Sequence, residues 1–438
     1  MGVRVDALCN GYKMHSEFPA TLEAWLERIE ACHPSEIELG LDRIRTVAER
    51  LSIELGAGKR VLIAGTNGKG STATMLESIA RSAGLSTGLY TSPHFLRYNE
   101  RIRLNGDEVS DAVLCAQFER IERARGDIAL TYFEYGTLAA LLCFAQAQPD
   151  LLLLEVGLGG RLDAVNIVDC DLAIVTTVAL DHTDWLGDDR EQIGREKAGI
   201  MRAGKPALCG DAEPPQSLLE HARALHAPLL VRERDYRAVQ RDSGWDWQGV
   251  DANGQPLSHT ELPLPSLPLV NAATVLQALA LLELNIPRQA LVAGLQHARM
   301  TGRMQQIALA EGPCILDVAH NPEAAAYIAR WLERAPVAGR THLVVGMLSD
   351  KDIAQVIRQL QPQIEHWYPA TLGGPRGTTA AALAERIEAC GGAVVARYDS
   401  VRSALAAARA AMTPGDRILV AGSFLTVAAA LETLEQER

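Results

Sequence analysis

Basic residues are in deficit: the 438-residue chain carries 42 Lys and Arg against 54 Asp and Glu, a formal net charge of −12. A broad cationic footprint for nucleic acid or for an anionic membrane is therefore not expected. Any polyanion has to be held locally, by metal ions and backbone donors that offset the repulsion. Long apolar runs are missing too. The stretches TLAALLCFA and LLLLEVGLGG fall well short of the ~20 residues of a spanning helix, and the second contains Glu155. The eight cysteines are scattered, with no C-x-x-C pair and no His/Cys cluster. Neither a zinc site nor a disulfide framework is expected, and a reducing cytoplasm is the simplest home. The opening MGVRVDALCNGYK has no apolar signal core, and Asp6 stands where a myristoylation signal requires Ser or Thr, so no targeting segment is expected. Solenoid-type repeats and low-complexity tracts are absent as well.

What is present is α/β texture. The length allows about three domains at roughly 150 residues each, and two larger α/β domains fit it equally. Residues 21–32 space Leu22, Trp25, Leu26 and Ile29 at helical intervals, and a second helix is expected over 41–55. The run KRVLIAG (59–65) reads as a short strand. Apolar runs at 87–91, 151–156, 171–178 and 205–209 then alternate with helical patterns at 71–83, 110–124, 134–147 and 190–200. That alternation predicts a mainly parallel sheet covered on both faces. Residues 229–268, with Asn253-Gly254 and closely spaced prolines, read as a peripheral β insertion or flap, followed by helices at 270–284 and 288–298. A second series has strands at 314–319, 342–347, 393–397 and 417–421 and helices at 323–334, 352–360, 379–390, 400–412 and 425–436. The expected domains are therefore 1–298 and 299–438.

The strongest local signal is Gly65-Thr66-Asn67-Gly68-Lys69-Gly70-Ser71-Thr72, between an expected strand and an expected helix. Glycines let backbone N–H groups turn toward phosphate oxygens, the helix start adds its positive end, and a lysine supplies a point charge. The segment departs from the strict phosphate-loop pattern: Ile63 stands where the first glycine would be, and Gly70 separates Lys69 from the hydroxyls. A glycine-rich turn without ligand is the alternative. Ser92 and His94 bracket a proline at another strand end, where a ligand site or a solvated loop are both compatible. Glu155 closes an apolar strand, where a carboxylate is costly unless paired or metal-bound. His182, between Asp181 and Asp184, offers imidazole and carboxylates at a further strand end. Lys197 lies on an expected helix, where it is either a solvated residue or, as a CO₂ adduct, an oxygen ligand.

The motifs GTNGKGST, TSPH, TYFEYGTLAAL, LEVGLGGRLDAVNIV, ALDHTDWLG, REKAGI, GRM and DVAHNP, over about residues 20–430, occur in an order that resembles the folylpolyglutamate synthase branch of the Mur ligase family. The resemblance implies a phosphate-loop ATPase domain with a parallel-rich sheet and a smaller Rossmann-like C-terminal α/β domain. It assigns the loop from Gly65 to Ser71 to ATP phosphates, with Lys69 catalytic. Ser71, Ser92, Glu155, His182 and Lys197, the last carbamylated (N6-carboxylysine), would hold two Mg²⁺ ions, with His182 and Lys197 also acting in catalysis. Asn271, Arg303 and Asp317 would contact the nucleotide from both domains, whose closure would exclude water, while His320 and Asn321 would position nucleotide or glutamate. Thr131, Tyr132, Phe133 and Glu134, the turn Leu162-Asp163-Ala164 and the loop at 37–41 would hold the pterin-bearing substrate. For Tyr132 and Phe133, ordinary packing at a helix start is the alternative.

The implied activity is ATP-dependent ligation of L-glutamate to dihydropteroate and to tetrahydrofolate, by a cytoplasmic monomer. A monofunctional folylpolyglutamate synthase is the alternative within the class. A phosphate-loop regulatory NTPase leaves the motifs after residue 300 unexplained, and a dehydrogenase has no use for Lys69 or the metal-type residues.

Overall fold

Val61, Leu62, Ile63 and Ala64 are all fully buried, as an uninterrupted apolar run must be when helices cover both faces of its strand. They form the middle of an eight-stranded sheet in a computed structural model that describes residues 18–33 and 38–437. Two units emerge, Met1–Ala298 and Arg299–Arg438, each with its own sheets.

The first unit opens with α1 (Leu22–Glu30), α2 (Asp42–Leu51), β1 (Lys59–Ala64) and α3 (Lys69–Ser82). Then come β2 (Thr87–Tyr90), β3 (Ile102–Leu104), β4 (Asp107–Glu108), α4 (Asp111–Arg125), α5 (Tyr132–Ala147), β5 (Leu151–Glu155) and β6 (Leu172–Val175). The one-turn α6 (Thr183–Leu186), α7 (Arg190–Ala198), β7 (Ala207–Cys209), α8 (Gln216–Ala224) and β8 (Leu229–Val231) complete this layer. The sheet order is β4-β3-β2-β5-β1-β6-β7-β8, antiparallel only where β3 meets β2 and β4. Because β5 and β6 flank β1, with Ile63 opposite Glu155 and Ala64 opposite Val175, three neighbouring strands end side by side. An open α/β sheet forms its ligand crevice at such carboxyl ends.

Residues 229–268 do not form one peripheral flap. Leu229–Val231 is a strand of the main sheet, paired with β7. Only β9 (Arg237–Arg241), β10 (Gly244–Val250) and β11 (Pro256–Leu262) make the antiparallel insertion, and it is packed down. Trp245 and Trp247 are fully buried, and Trp247 Nε1 donates to Ala273 O (3.1 Å) in α9 (Leu269–Leu282). From the same helix, Gln277 accepts from Val250 N–H and donates to Val250 O. The unit ends with α10 (Arg288–His297).

The second unit contains β12 (Gln305–Ala308), β13 (Pro313–Leu316), α11 (Pro322–Arg334), β14 (Thr341–Val345), α12 (Ile353–Leu360), β15 (His366–Pro369), α13 (Ala380–Ala389), α14 (Val401–Ala411), β16 (Arg417–Ala421) and α15 (Phe424–Gln436). Its sheet runs β12-β13-β16-β14-β15, with only β12 antiparallel. The strand expected at 393–397 is not a ladder member. The edge belongs to β15, which that segment touches through an isolated bridge between Val394 and Trp367, and Val395 is left 49% exposed. The expected helix over 41–55 also stops early, because Ser52 turns left-handed (φ 50°).

One close helix contact fixes α3 from behind. Ser78 Oγ donates to Gly294 O (2.8 Å), and a Cβ on Gly294 would lie 2.4 Å from Ile79 Cα. Gly294→Ala is therefore expected to pry α10 from α3 and cost about 1–3 kcal/mol, the usual penalty of overpacking. A lowered midpoint in urea unfolding followed by circular dichroism would register it.

Candidate active site

Residues 65–68 join β1 to α3 in a shape that side chains would block. Gly65 (φ 150°) and Gly68 (φ 86°) both have positive φ. A Cβ on Gly65 would sit 1.8 Å from Thr176 Oγ1, and one on Gly68 would sit 2.8 Å from Asn271 Nδ2. The loop is fastened to the segment that follows β6. Thr66 N–H donates to Thr177 O (2.9 Å) and Asn67 N–H to Thr177 Oγ1 (3.1 Å). Thr176 Oγ1 donates to Asn67 O (2.6 Å), while Thr66 Oγ1 donates to Ala179 O and accepts from Ala179 N–H. Lys69 opens α3 and curls its Nζ back to Gly65 O (3.0 Å). Gly70 and Ser71 follow, buried in the first helical turn, where the backbone N–H groups and the positive end of the helix favour anions.

Asp163 and Lys197 lie near Lys69, and Glu155 and His182 stand at the end of β5 and the start of α6. Asp163, 3% exposed, accepts from Leu158 N–H (2.8 Å) and Val165 N–H (2.9 Å). Burial pushes its carboxyl up to about 6, against those donors and Lys69. Lys197 lies buried on α7, and burial first, then Lys69, pull its ammonium down to about 7 against Asp181 and Asp163. An ammonium depressed in this way gives up its proton more readily than a free lysine does. Glu155, 4% exposed at the end of β5, accepts from Ser92 N–H (3.2 Å). His182 is exposed in a left-handed conformation (φ 52°) at the start of α6, its N–H donating to Asp181 Oδ1 (2.9 Å).

Among the described residues, no three His, Cys, Asp or Glu side chains converge on a metal-sized point. Of the residues expected to hold Mg²⁺, only Glu155 and His182 belong to those types; the others are the hydroxyls of Ser71 and Ser92 and the amine of Lys197. Carboxylate and hydroxyl oxygens suit a hard cation, whereas an ammonium does not and a carbamate would. The donor set fits magnesium on the condition that Lys197 or a bound phosphate adds oxygens.

The expected acceptor residues divide by role. Thr131 caps α5, accepting from Glu134 N–H, while Glu134 Oε2 accepts from Thr131 N–H (2.8 Å) and its other oxygen pairs with Arg43 (3.3 Å). Both are thus committed to starting the helix. Tyr132 and Phe133, half-buried, are the next two residues. Tyr132 meets Tyr98 edge-on, and Phe133 lies against Tyr90 and roofs Gly157, where a Cβ would fall 2.6 Å from its ring. Leu162 O accepts from Gly40 N–H (3.3 Å), and Ala164 is buried just beyond Asp163. In the loop at 37–41, Ile37 lies outside the described residues.

Within the second unit, Arg303, Asp317, His320 and Asn321 are gathered at the end of β13. Asp317 is buried and accepts from Met304 N–H (2.8 Å) and Ala319 N–H (2.9 Å); burial holds its carboxyl above the usual range, with Arg303 opposing. The Arg303 guanidinium lies 5.0 Å from the Phe424 ring centroid. His320 Nδ1 is 2.9 Å from Val318 O, and Asn321 caps α11 through Ala324 N–H. Asn271 stands in the first unit, against Gly68.

Thr176 and Thr177, which shape the phosphate loop, were not among the residues the sequence picked out. Their signal was a Thr-Thr pair ending an apolar strand, read there as more strand.

Residues 63–209 match the Mur ligase middle domain, and residues 302–424 match the Mur ligase, glutamate ligase domain. Over 418 residues the chain is 47% identical to the dihydrofolate synthase/folylpolyglutamate synthase of Escherichia coli (strain K12), covering 95% of this chain and 96% of that protein. The chain belongs to this family of Mur ligases. Its structure is similar to that of E. coli FolC in complex with DHPP and ADP (TM-score 0.90, 46% identity, 96% of this chain and 99% of that one). It is also similar to a bifunctional folylpolyglutamate synthase/dihydrofolate synthase with AMPPNP and Mn ion from Yersinia pestis (TM-score 0.88, 47% identity, 95% and 98% covered).

Gly68→Ala would force a Cβ into left-handed backbone and against Asn271. At about 1–2 kcal/mol for that conformation, ADP binding measured by calorimetry is expected to weaken about tenfold.

Proposed function

We propose that the chain ligates L-glutamate to dihydropteroate, giving dihydrofolate, and to the γ-carboxylate of tetrahydrofolate, each through an acyl phosphate. The observation that carries this reading is the meeting of a glycine-lysine loop, built for phosphate, with a buried lysine, Lys197, and two buried carboxylates, Glu155 at the end of β5 and Asp163 in the turn beyond it. A regulatory NTPase has no need of that second set. The bifunctional name of the E. coli relative supports both acceptors, and a monofunctional folylpolyglutamate synthase would use tetrahydrofolate alone.

A carboxylate is a poor electrophile, so the acceptor carboxylate must first take the γ-phosphoryl group of ATP. The N–H groups of the loop hold the phosphates, and Lys69, released from Gly65 O, would follow the charge that builds on the transferring group. The α-amine of glutamate then attacks the acyl carbon, a tetrahedral intermediate forms, and phosphate leaves to give the amide. Magnesium, held by Ser71, Ser92, Glu155, His182 and Lys197 as a carbamate, would supply neutralisation of the phosphate oxygens. Asp163, buried at the Leu162–Ala164 turn, would accept a ring N–H of the pterin beside Phe133. Asn271, Arg303 and Asp317 are assigned to the nucleotide, and His320 and Asn321 to positioning nucleotide or glutamate. The same reading makes the enzyme a cytoplasmic monomer.

With dihydropteroate, glutamate and MgATP all present, ADP and phosphate are expected, and omitting any one should stop their release; ADP formed without glutamate would defeat ligation. Replacing dihydropteroate by tetrahydrofolate separates the bifunctional enzyme from the monofunctional one. Lys69→Ala should lower turnover at least about 100-fold with an unchanged melting temperature. For the carbamate, wild-type protein in carbon-13 bicarbonate should show a carbamate resonance that Lys197→Arg lacks; its absence from the metal-loaded wild type would remove the modification.

A further inference from the structure

Arg101 is a buried cation without an acidic partner among the described residues. It is 8% exposed. Its neighbours in sequence each have a carboxylate, Arg97 with Glu108 and Arg103 with Glu77 (2.6 Å). Glu100, the adjacent acid, is spent on backbone: Oε2 accepts from Phe95 N–H, and Oε1 accepts from Leu96 and Arg97 N–H, all at 2.7 Å. Around the guanidinium the walls are neutral. It lies 5.2 Å from the ring centroid of Tyr98 and 5.6 Å from that of Tyr132, and Nε donates to His94 Nδ1 (2.8 Å). Because His94 Nδ1 accepts that N–H, it carries no proton of its own and faces the arginine as an acceptor.

Aromatic faces attract a guanidinium, but by less than its dehydration costs. A cation kept dry by two rings and a neutral imidazole is matched by an anion brought from outside, and a guanidinium fork is shaped for carboxylate. The position narrows which one. His94 follows Ser92, whose N–H holds Glu155, by two residues. Tyr132, the other wall, is bonded to Phe133, which roofs Gly157. The slot therefore adjoins the strand end where the acceptor is expected.

We infer that Arg101, between Tyr98 and Tyr132, is the anchor for a carboxylate of the acceptor substrate. The inference rests on the ligase reading above. The carboxylate has two sources: that of dihydropteroate itself, or the α-carboxylate of the glutamyl residue in tetrahydrofolate.

Arg101→Met keeps the stem against the rings and removes the charge. In the full chain it is expected to raise KM roughly 10- to 100-fold, the loss that goes with a charge-assisted hydrogen bond, while calorimetric MgADP affinity stays unchanged. A rise for dihydropteroate assigns the pteroate carboxylate, and a rise for tetrahydrofolate alone assigns the glutamyl α-carboxylate. Binding of the carboxamide analogue of dihydropteroate is expected to be weaker than that of dihydropteroate in the wild type, and equal to it in Arg101→Met if the pteroate carboxylate is the ligand. Arg101→Lys, which preserves the buried charge and loses the fork, should raise the same KM several-fold and serves if the methionine variant does not fold. Unchanged KM for both acceptors in whichever variant folds overturns the inference alone. Failure of the wild type to bind any acceptor overturns the ligase reading and the inference together.

Discussion

The fastening of the phosphate loop to the segment after β6 is the constraint on which the rest of the site depends. Thr176 and Thr177 take up Asn67 on both its N–H and its carbonyl, and Thr66 exchanges hydrogen bonds with Ala179. These bonds tie β1 to β6 just where the sheet ends, so the loop does not set its own shape. The absence of a Cβ at Gly65 lets Thr176 approach, and the same absence at Gly68 admits Asn271. A loop prepared in this way spends little ordering free energy when phosphate arrives.

Around it, charge is arranged so that no single group is comfortable. Lys69 and Lys197 repel each other, which lowers Lys197, while Asp163 and Asp181 pull the other way. Asp163 is itself held near 6 by burial. Such mutual frustration marks a site suited to receive further charge, and it eases the difficulty posed by an acidic chain. The protein does not need a positive surface because the cations are few, interior and close to the helix start.

Much of this could be read from residues alone. The apolar runs before Gly65 and Glu155 located two central strands because a doubly covered strand has no polar face. The phosphate loop announced itself through glycine and lysine in the right order. Other features left no such trace. β3, β4 and β8 are two or three residues long, too short for a periodic pattern. β15 reads HWYP, with a proline and a histidine that disguise an edge strand, while the apolar AVVA nearby mimics one. Thr131 and Glu134 looked like ligand contacts and are a capping box as well, since the same polar atoms serve either purpose. Arg101 was passed over because nothing local tells a paired arginine from an unpaired one; only the fold reveals that Glu100 has turned to the backbone.

The antiparallel insertion has a consequence of a practical kind. Its base is bonded through Trp247 and Gln277 to α9, the helix that presents Asn271 to Gly68. Its far end is a tight turn at Asp251, Asn253 and Gly254, exposed and with open space around Gly254. The hairpin is thus a lever with a fixed foot and a free tip. A dye or a short tag grafted at the tip would ride on the helix that touches the phosphate loop without crowding it, which makes residues 251–254 a natural handle for following nucleotide binding by fluorescence.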